Sequence, residues 1–205
     1  MYHQIRTFHT ADIRSAVRRF AALLTVCCLL LSAVSCRSKP DDDKTMTQSV
    51  VKSYLDAFGG YQIPKMNQVS LTKLETYDDS NEINTSCKLL TSRTARTMES
   101  ITVSGNSAIA QVSITMPRDF DGICREALDN AMLQMEQDTS ERLPAEILNL
   151  SIKKYANQAE KVTVTAEISL SKVNNKWYIV KSQDIVDILS DIRTSVAAVY
   201  SVLDD

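Results

Sequence analysis

The sequence is poor in glycine, proline and histidine, and each shortage excludes a class of protein. Glycine and proline each occur four times in 205 residues, well below average usage. Their scarcity excludes a collagen-like or low-complexity chain, and it leaves no glycine-rich loop to cradle a nucleotide phosphate. Histidine occurs twice, at His3 and His9, and the formal net charge is −2. A chain so close to neutral gives no reason to expect nucleic acid as a partner.

Residues 1–35 have the composition of a secretory signal peptide. Four arginines and one acidic residue precede an uncharged apolar stretch, 20–35, which ends in small residues. A basic region, a short apolar region and small residues before a cut are typical of such leaders. Sixteen residues also fall short of the ~20 that a membrane-spanning helix needs. We predict that residues 1–35 are removed on export; an uncleaved signal anchor is the alternative.

The end of this segment, Ala33-Val34-Ser35-Cys36, resembles the lipobox of bacterial lipoproteins. The resemblance implies that the Cys36 thiol receives diacylglycerol, that the leader is cut before it, and that the new amino group is acylated. Ala33 departs from the usual leucine. Two or more acyl chains anchor a protein stably, whereas one is marginal. The resemblance therefore implies a palmitate-type lipid anchor in the cell envelope. Arg37, in place of aspartate, favours the outer membrane if the organism has one, and otherwise the outer face of the plasma membrane.

Removing the leader changes the composition of what remains. Four of the chain's 23 basic residues and one of its 25 acidic residues lie in the leader. Residues 36–205 therefore carry 19 basic and 24 acidic residues, a net charge of −5, and no histidine. Without histidine there can be no Ser-His-Asp or Cys-His catalysis and no histidine-ligated zinc or iron. We therefore predict no catalytic residue, no metal and no cofactor. Enzymes that use only carboxylates, tyrosine or lysine stay open.

Cys87 and Cys124 are the cysteines left after Cys36 in the exported part of the chain. An oxidising compartment permits a disulfide between them, and two separate buried thiols are the alternative. Residues 36–46 are polar and contain a proline, so they are predicted to be the lipidated cysteine and a flexible tether. The acidic run at 41–43 is interpreted as a solvated spacer, since it lacks the alternating spacing of a calcium loop.

Hydrophobic periodicity predicts one α+β domain over 47–205. Helical spacing indicates helices at 46–58, 63–75, 120–135, 143–157 and 183–202, with Gly59-Gly60 ending the first. Residues 77–86 are predicted to be a polar loop. Two alternating stretches predict β-hairpins, turning at Ser104-Gly105-Asn106 and at Asn174-Asn175. Two hairpins can join into an antiparallel sheet of about four strands whose apolar face is covered by helices.

A family resemblance rests on three segments. The helix VVKSYLDAF, the strand Gly105 to Val112, and Lys176-Trp177-Tyr178-Ile179 followed by Asp184 resemble a group of bacterial lipoproteins with a domain of unknown function. That group is built like the nuclear-transport-factor-two-like, cystatin-like cone. The resemblance implies a curved sheet around a concave face. Tyr54, Trp177 and Tyr178 are its candidate ligand-facing residues; for Trp177 a place in the core is the alternative.

The predicted function is a non-catalytic binding or scaffold module anchored to the membrane by lipid. Its partner would be an envelope protein, a glycan or a small apolar ligand. Two alternatives stay open. The first is a self-associating surface protein that pairs through its sheet or its last helix. The second is a small enzyme of the ketosteroid-isomerase type, with Asp184, Asp187 and Glu167 as the acids near the mouth of the cone.

Overall fold

The computed structural model describes residues 40–77, 79–137 and 143–203. The predicted leader, Cys36 and Arg37 lie outside the described residues. The elements in chain order are α1 Pro40–Gly59, α2 Ile63–Gln68, α3 Asn81–Thr91, β1 Ala95–Ser104, β2 Ser107–Pro117, α4 Phe120–Gln137, α5 Pro144–Gln158, β3 Lys161–Val173, β4 Lys176–Lys181 and α6 Gln183–Leu203. This content confirms the predicted α+β class.

The four strands form one antiparallel sheet in the order β1-β2-β3-β4, as the two predicted hairpins require. Both turns use the residues named from the sequence. Gly105 has φ +59°, and Asn174 and Asn175 have φ +50° and +61°. In the β3–β4 turn, positive φ at both central residues matches the right-handed twist of the flanking strands, and in the β1–β2 turn only Gly105 takes positive φ.

One face of the sheet is buried and the other meets solvent. Strict alternation along β2 buries Ala110, Val112 and Ile114, and Ile168 of β3 lies on the same face. The helices α1 and α6 lie against this face, α3 and α4 pack with α6, and α5 packs with α3 and α4. On the other face Ile109 is 45% exposed, and Gln111 donates a side-chain hydrogen bond to Glu167. The predicted pattern of one covered and one wet face is confirmed.

The predicted tether is wrong in its second half, because α1 begins at Pro40. Proline is favoured in a helix's first turn, where its missing N–H costs nothing. The acidic run at 41–43 is therefore helical and not a solvated spacer. Asp43 is buried, and its carboxylate accepts hydrogen bonds from Lys172 and Trp177. Spacing along the chain could not show partners that lie about 130 residues away.

The predicted polar loop at 77–86 is also wrong, because α3 begins at Asn81. Ser80 caps this helix by accepting a hydrogen bond from the Ile83 N–H. The turns that follow bury Cys87 and Leu90. The local sequence is polar because only a narrow stripe of this helix faces the core.

The second predicted helix, 63–75, ends early at Gln68. The chain beyond it forms a parallel bridge at Ser70 to Ile179 of β4. The Leu71 N–H donates to the Ile179 carbonyl and the Ile179 N–H donates to the Val69 carbonyl. This pairing covers the outer edge of β4, which would otherwise offer unpaired backbone groups to another chain.

Candidate ligand cleft

The three residues predicted to face a ligand do not share a cavity. Tyr54 is buried in α1, where its hydroxyl lies 2.5 Å from the Ser182 Oγ and burial raises its pKa. Trp177 is buried against α1, as the alternative interpretation held. Tyr178 follows it in β4 and so lies on the opposite face of the sheet. The prediction of a concave face lined by these three is wrong, because helices fill that face.

The two cysteines of the domain are buried free thiols. The structure therefore places both in the core without the predicted bridge, and the alternative of two buried small hydrophobes describes them. Burial raises the pKa of Cys87 to about 12 and that of Cys124 to about 12. Thiols held so far in the neutral form are poor nucleophiles and poor metal ligands.

The three acids named for a carboxylate enzyme do not converge on one point. Asp184 accepts a hydrogen bond from the Glu167 backbone N–H at 3.2 Å, and Asp187 accepts one from the Gln183 side chain at 2.7 Å. The Glu167 carboxylate is paired with Gln111 on the open face of the sheet. In the described part of the chain, no group of three or more histidine, cysteine or acidic residues is arranged to hold a metal ion.

A mainly apolar cleft lies between the segment 72–77 and the first half of α6, with a volume of about 340 Å³. We call it the Tyr61–Arg193 cleft. Its size falls at the lower end of the range for small-molecule sites. Apolar residues of α2, α6 and the 72–77 segment form its floor, and two tyrosines and an arginine form its walls. These residues are Ile63, Leu74, Val186, Leu189, Tyr61, Tyr77 and Arg193.

Tyr61 is held in a strained backbone conformation at one wall of the cleft. Its φ is +51°, its N–H donates to the Phe58 carbonyl, and the Gln62 N–H donates to the Ala57 carbonyl. This pair of hydrogen bonds is the Schellman ending of α1, in which glycine normally occupies the left-handed position. Gly59-Gly60 does precede the end of the helix, but the left-handed residue is Tyr61. Such strain costs roughly 1–2 kcal/mol and is often found at functional sites.

The side chain of Tyr61 is half-buried and turned into the domain. Burial raises the pKa of its hydroxyl well above the usual range, and the nearby Cys87 thiol raises it further. The tyrosine therefore stays neutral and presents its ring, rather than a charge, to the cleft.

An ion pair fixes the opposite wall. Arg193 of α6 donates from Nε and Nη2 to the two carboxylate oxygens of Asp79, at 2.9 and 2.7 Å. The guanidinium also lies 3.6 Å from the centre of the Tyr77 ring. Bidentate geometry and stacking together are what make arginine specific at such positions. They fasten the end of the 72–77 segment to α6 and hold the cleft open.

The 72–77 segment is tied to the rest of the domain by polar contacts at both ends. Thr72 donates its hydroxyl to the Val180 carbonyl at 3.0 Å at one end, and the Arg193 guanidinium stacks on Tyr77 at the other. The Asn67 side chain bonds both the N–H and the carbonyl of Leu74. The cleft is therefore a preformed feature with satisfied polar groups around an apolar floor.

Sequence reasoning missed Tyr61, Tyr77, Asp79 and Arg193. One signal was available: Arg193 is the single basic residue of α6, which otherwise presents apolar residues and acids. Its partner and the strained tyrosine could not be inferred, because both depend on how α6 meets distant segments. Two more polar clefts, of about 370 and 360 Å³, flank Arg118 and Asp119 and have no comparable apolar floor.

No protein-family model and no curated protein matches the chain. Among solved structures, the chain is similar to a Bacillus subtilis protein described as a candidate lipoprotein, ycdA, with 15% identity and a TM-score of 0.37. The match covers 71% of this chain and 46% of that one, so the chain spans about half the length of that neighbour. None of the helices in the described ranges is both long enough and apolar enough to cross a bilayer.

Proposed function

We propose that the protein is a lipid-anchored bacterial envelope protein whose domain binds a small, mainly apolar ligand without catalysis. The observation that carries the ligand proposal is the preformed Tyr61–Arg193 cleft, an apolar floor between walls fixed by a strained backbone and a bidentate ion pair. The absence of histidine from residues 36–205 supports a non-catalytic role.

The lipid anchor is supported by the sequence around Cys36. The segment Ala33-Val34-Ser35-Cys36 follows a basic, then apolar, leader. We extend the proposal to acylation of Cys36, to the outer membrane in a Gram-negative organism, and to a fold related to the nuclear-transport-factor-two-like cone. The last of these is supported by the motif at Lys176-Trp177-Tyr178-Ile179 and stays a prediction.

Metabolic labelling tests the anchor. Cells that express the full chain and are fed radiolabelled palmitate should incorporate label, and the Cys36→Ser variant should not. The Cys87→Ser variant is the matched control, since a buried thiol is not a lipid acceptor and its loss should leave labelling intact. Label that persists in the Cys36→Ser variant contradicts the proposal.

A fluorescent naphthalene sulfonate tests the cleft. The probe has an apolar ring system and one acceptor group, and its emission should rise on binding. The Val186→Glu substitution places a negative charge on the apolar floor, where it repels the sulfonate, and should weaken binding roughly tenfold, equivalent to about 1.4 kcal/mol. Val202→Glu, the same change at a 52%-exposed position of the same helix, is the control. Equal binding by both variants would overturn the assignment of the cleft.

Self-association is a second candidate, favoured by the uncovered face of the sheet. Ile109 is 45% exposed there, and Tyr178 of β4 is half-buried on the same face. The edge strand β1 argues against pairing edge to edge, because a register irregularity lies between Met98 and Ser100, and a bulge blunts a sheet edge. Pairing would therefore use the open face. Sedimentation that shows only monomer at high concentration excludes it.

A further inference from the structure

The starting turn of α1 is fastened to the sheet by a buried ion pair. The Asp43 carboxylate accepts hydrogen bonds from Lys172 Nζ at 2.7 Å and from Trp177 Nε1 at 3.1 Å. The Asp43 and Lys172 side chains are 12% and 10% exposed. We call these three residues the Asp43 latch. Because both side chains are almost fully enclosed, losing either charge would be costly, so this contact holds the helix start against the sheet.

Both hairpin turns lie at the same end of the sheet as the latch. Ser107, the first residue of β2, pairs with Ser171 near the end of β3, and Val173 pairs with Lys176 across the second turn. The Lys172 N–H also donates to the Asn106 carbonyl in the first turn. The β1–β2 turn, the β3–β4 turn and the latch therefore form one end of the domain, which we call the turn end.

Helix α1 leads from the turn end to the other end, where the cleft lies. Gly59 meets the guanidinium of Arg96, and Arg96 pairs with Ile114, far from the turns. Sixteen residues of helix separate Asp43 from Gly59, which is about 24 Å at 1.5 Å per residue. Tyr61 follows directly and forms a wall of the cleft.

We propose that the turn end faces the lipid surface and that the Tyr61–Arg193 cleft lies at the end of the domain away from it. The proposal rests on the lipid anchor of the proposed function. Cys36 is four residues before Pro40, a path of at most about 14 Å however the chain runs. A link so short keeps the start of α1 close to the lipid surface, and the latch keeps the turn end beside the start of α1. The ligand would thus enter from the compartment and not from the bilayer.

Lipid-dependent quenching tests this orientation. The full chain is expressed, the acylated protein is purified from membranes, and it is placed in phosphatidylethanolamine–phosphatidylglycerol vesicles that carry nitroxide headgroups. A maleimide dye labels either the Asn175→Cys variant, at the turn end, or the Lys65→Cys variant, beside the cleft. Both positions are exposed, while Cys87 and Cys124 are buried and should not react.

Quenching should be at least about twofold greater at position 175 than at position 65, since about 24 Å of helix separates the two ends. Equal quenching, or more at position 65, overturns the orientation while the anchor stands. Failure of the protein to float with the vesicles removes the anchor and the orientation with it. The Lys172→Met variant, checked by circular dichroism for folding, should make quenching at position 175 similar to quenching at position 65. If the ratio of quenching at the two positions stays as in the protein with Lys172, the role of the latch is contradicted.

Discussion

The turn end and the cleft end of the domain are each held by an ion pair beside an aromatic ring. At the turn end Lys172 lies 5.8 Å from the centre of the Trp177 ring and pairs with Asp43. At the cleft end Arg193 lies 3.6 Å from the centre of the Tyr77 ring and pairs with Asp79. The first contact seals a helix onto a sheet, whereas the second borders an open cavity.

The difference between the ends follows from what each charge touches. The side chains of Asp43 and Lys172 are both almost fully buried, so their ion pair fixes the position of α1 on the sheet. Arg193 is 28% exposed, and its Nη1 makes no hydrogen bond within the described part of the chain. An ion pair beside an aromatic ring is therefore purely structural where both charged side chains are buried, as at Asp43 and Lys172. Where one charged side chain is partly exposed, as at Arg193, the pair can also contact a ligand.

The largest effect should come from breaking the latch. Asp43→Ala removes the enclosed carboxylate that pairs with Lys172 and takes the acceptor from Trp177, so we expect a loss of about 3 kcal/mol in the free energy of unfolding. Urea unfolding measures it. Asp42→Ala, a change at the exposed neighbouring residue, should cost less than about 0.5 kcal/mol. Similar costs for the two would contradict the account of the latch.

Breaking the second ion pair should cost less and should affect the cleft. Arg193→Met leaves the 7%-exposed Asp79 carboxylate unpaired, and we expect a loss of about 2 kcal/mol, reduced because solvent reaches the arginine. Binding of the naphthalene probe should weaken as well. Arg125→Met, which breaks an exposed pair on α4, should change neither urea unfolding nor probe binding. Probe affinity that survives the loss of Arg193 would argue against this wall.

Alkaline pH should destabilise the domain through its buried thiols. The folded pKa of Cys87 and of Cys124 is raised to about 12 from an ordinary value of 9.0, so this stability is complete below pH 9 and is lost as pH rises towards 12. Above pH 9 each thiol should remove about 1 kcal/mol per pH unit. Urea unfolding of Cys87→Ala/Cys124→Ala across this range should show a shallower decline. An unchanged slope would contradict the burial of the thiols.

The smallest effect compares the left-handed residues of the two ends. Asn175→Gly in the β3–β4 turn should change stability by less than about 0.5 kcal/mol, because asparagine already tolerates positive φ. Tyr61→Gly relieves strain but removes a half-buried ring from the wall of the cleft, so we expect a net loss of about 1 kcal/mol and weaker probe binding. Thermal unfolding measures both. If Tyr61→Gly stabilises the domain and keeps probe affinity, the tyrosine has no role in the cleft.

Much of the fold could be predicted because its signals are local. Alternation in β2 and β3, the turn residues Gly105 and Asn174-Asn175, and the Asp119 cap before α4, which accepts a hydrogen bond from the Gly122 N–H, are all readable within about ten residues. Each reflects a backbone requirement that only certain side chains meet. The sheet of about four strands follows from these signals with little further information.

The wrong predictions concern residues whose structure depends on partners far away in the sequence. From its neighbours alone, Asp43 looks like a solvated acid, but it binds Lys172 and Trp177. Likewise, the helix ends at Gln68 because the chain after it pairs with Ile179. The cleft was missed for the same reason, since its walls come from the end of α1, the 72–77 segment and α6. The core position of Trp177 could be anticipated, because a lone tryptophan in a strand usually packs, but a strand pattern does not show which face the helices cover.

Chemical-shift mapping with the naphthalene probe tests the central claim most directly. On titration, amide shifts should concentrate at Tyr61, Leu74, Tyr77, Val186 and Arg193, and should saturate with one affinity. The turn end, around Asn106 and Asn175, should stay unchanged. Shifts that concentrate instead on Ile109 and Tyr178 of the open sheet face, or that spread without saturation, would contradict a ligand cleft at the end of the domain opposite the latch.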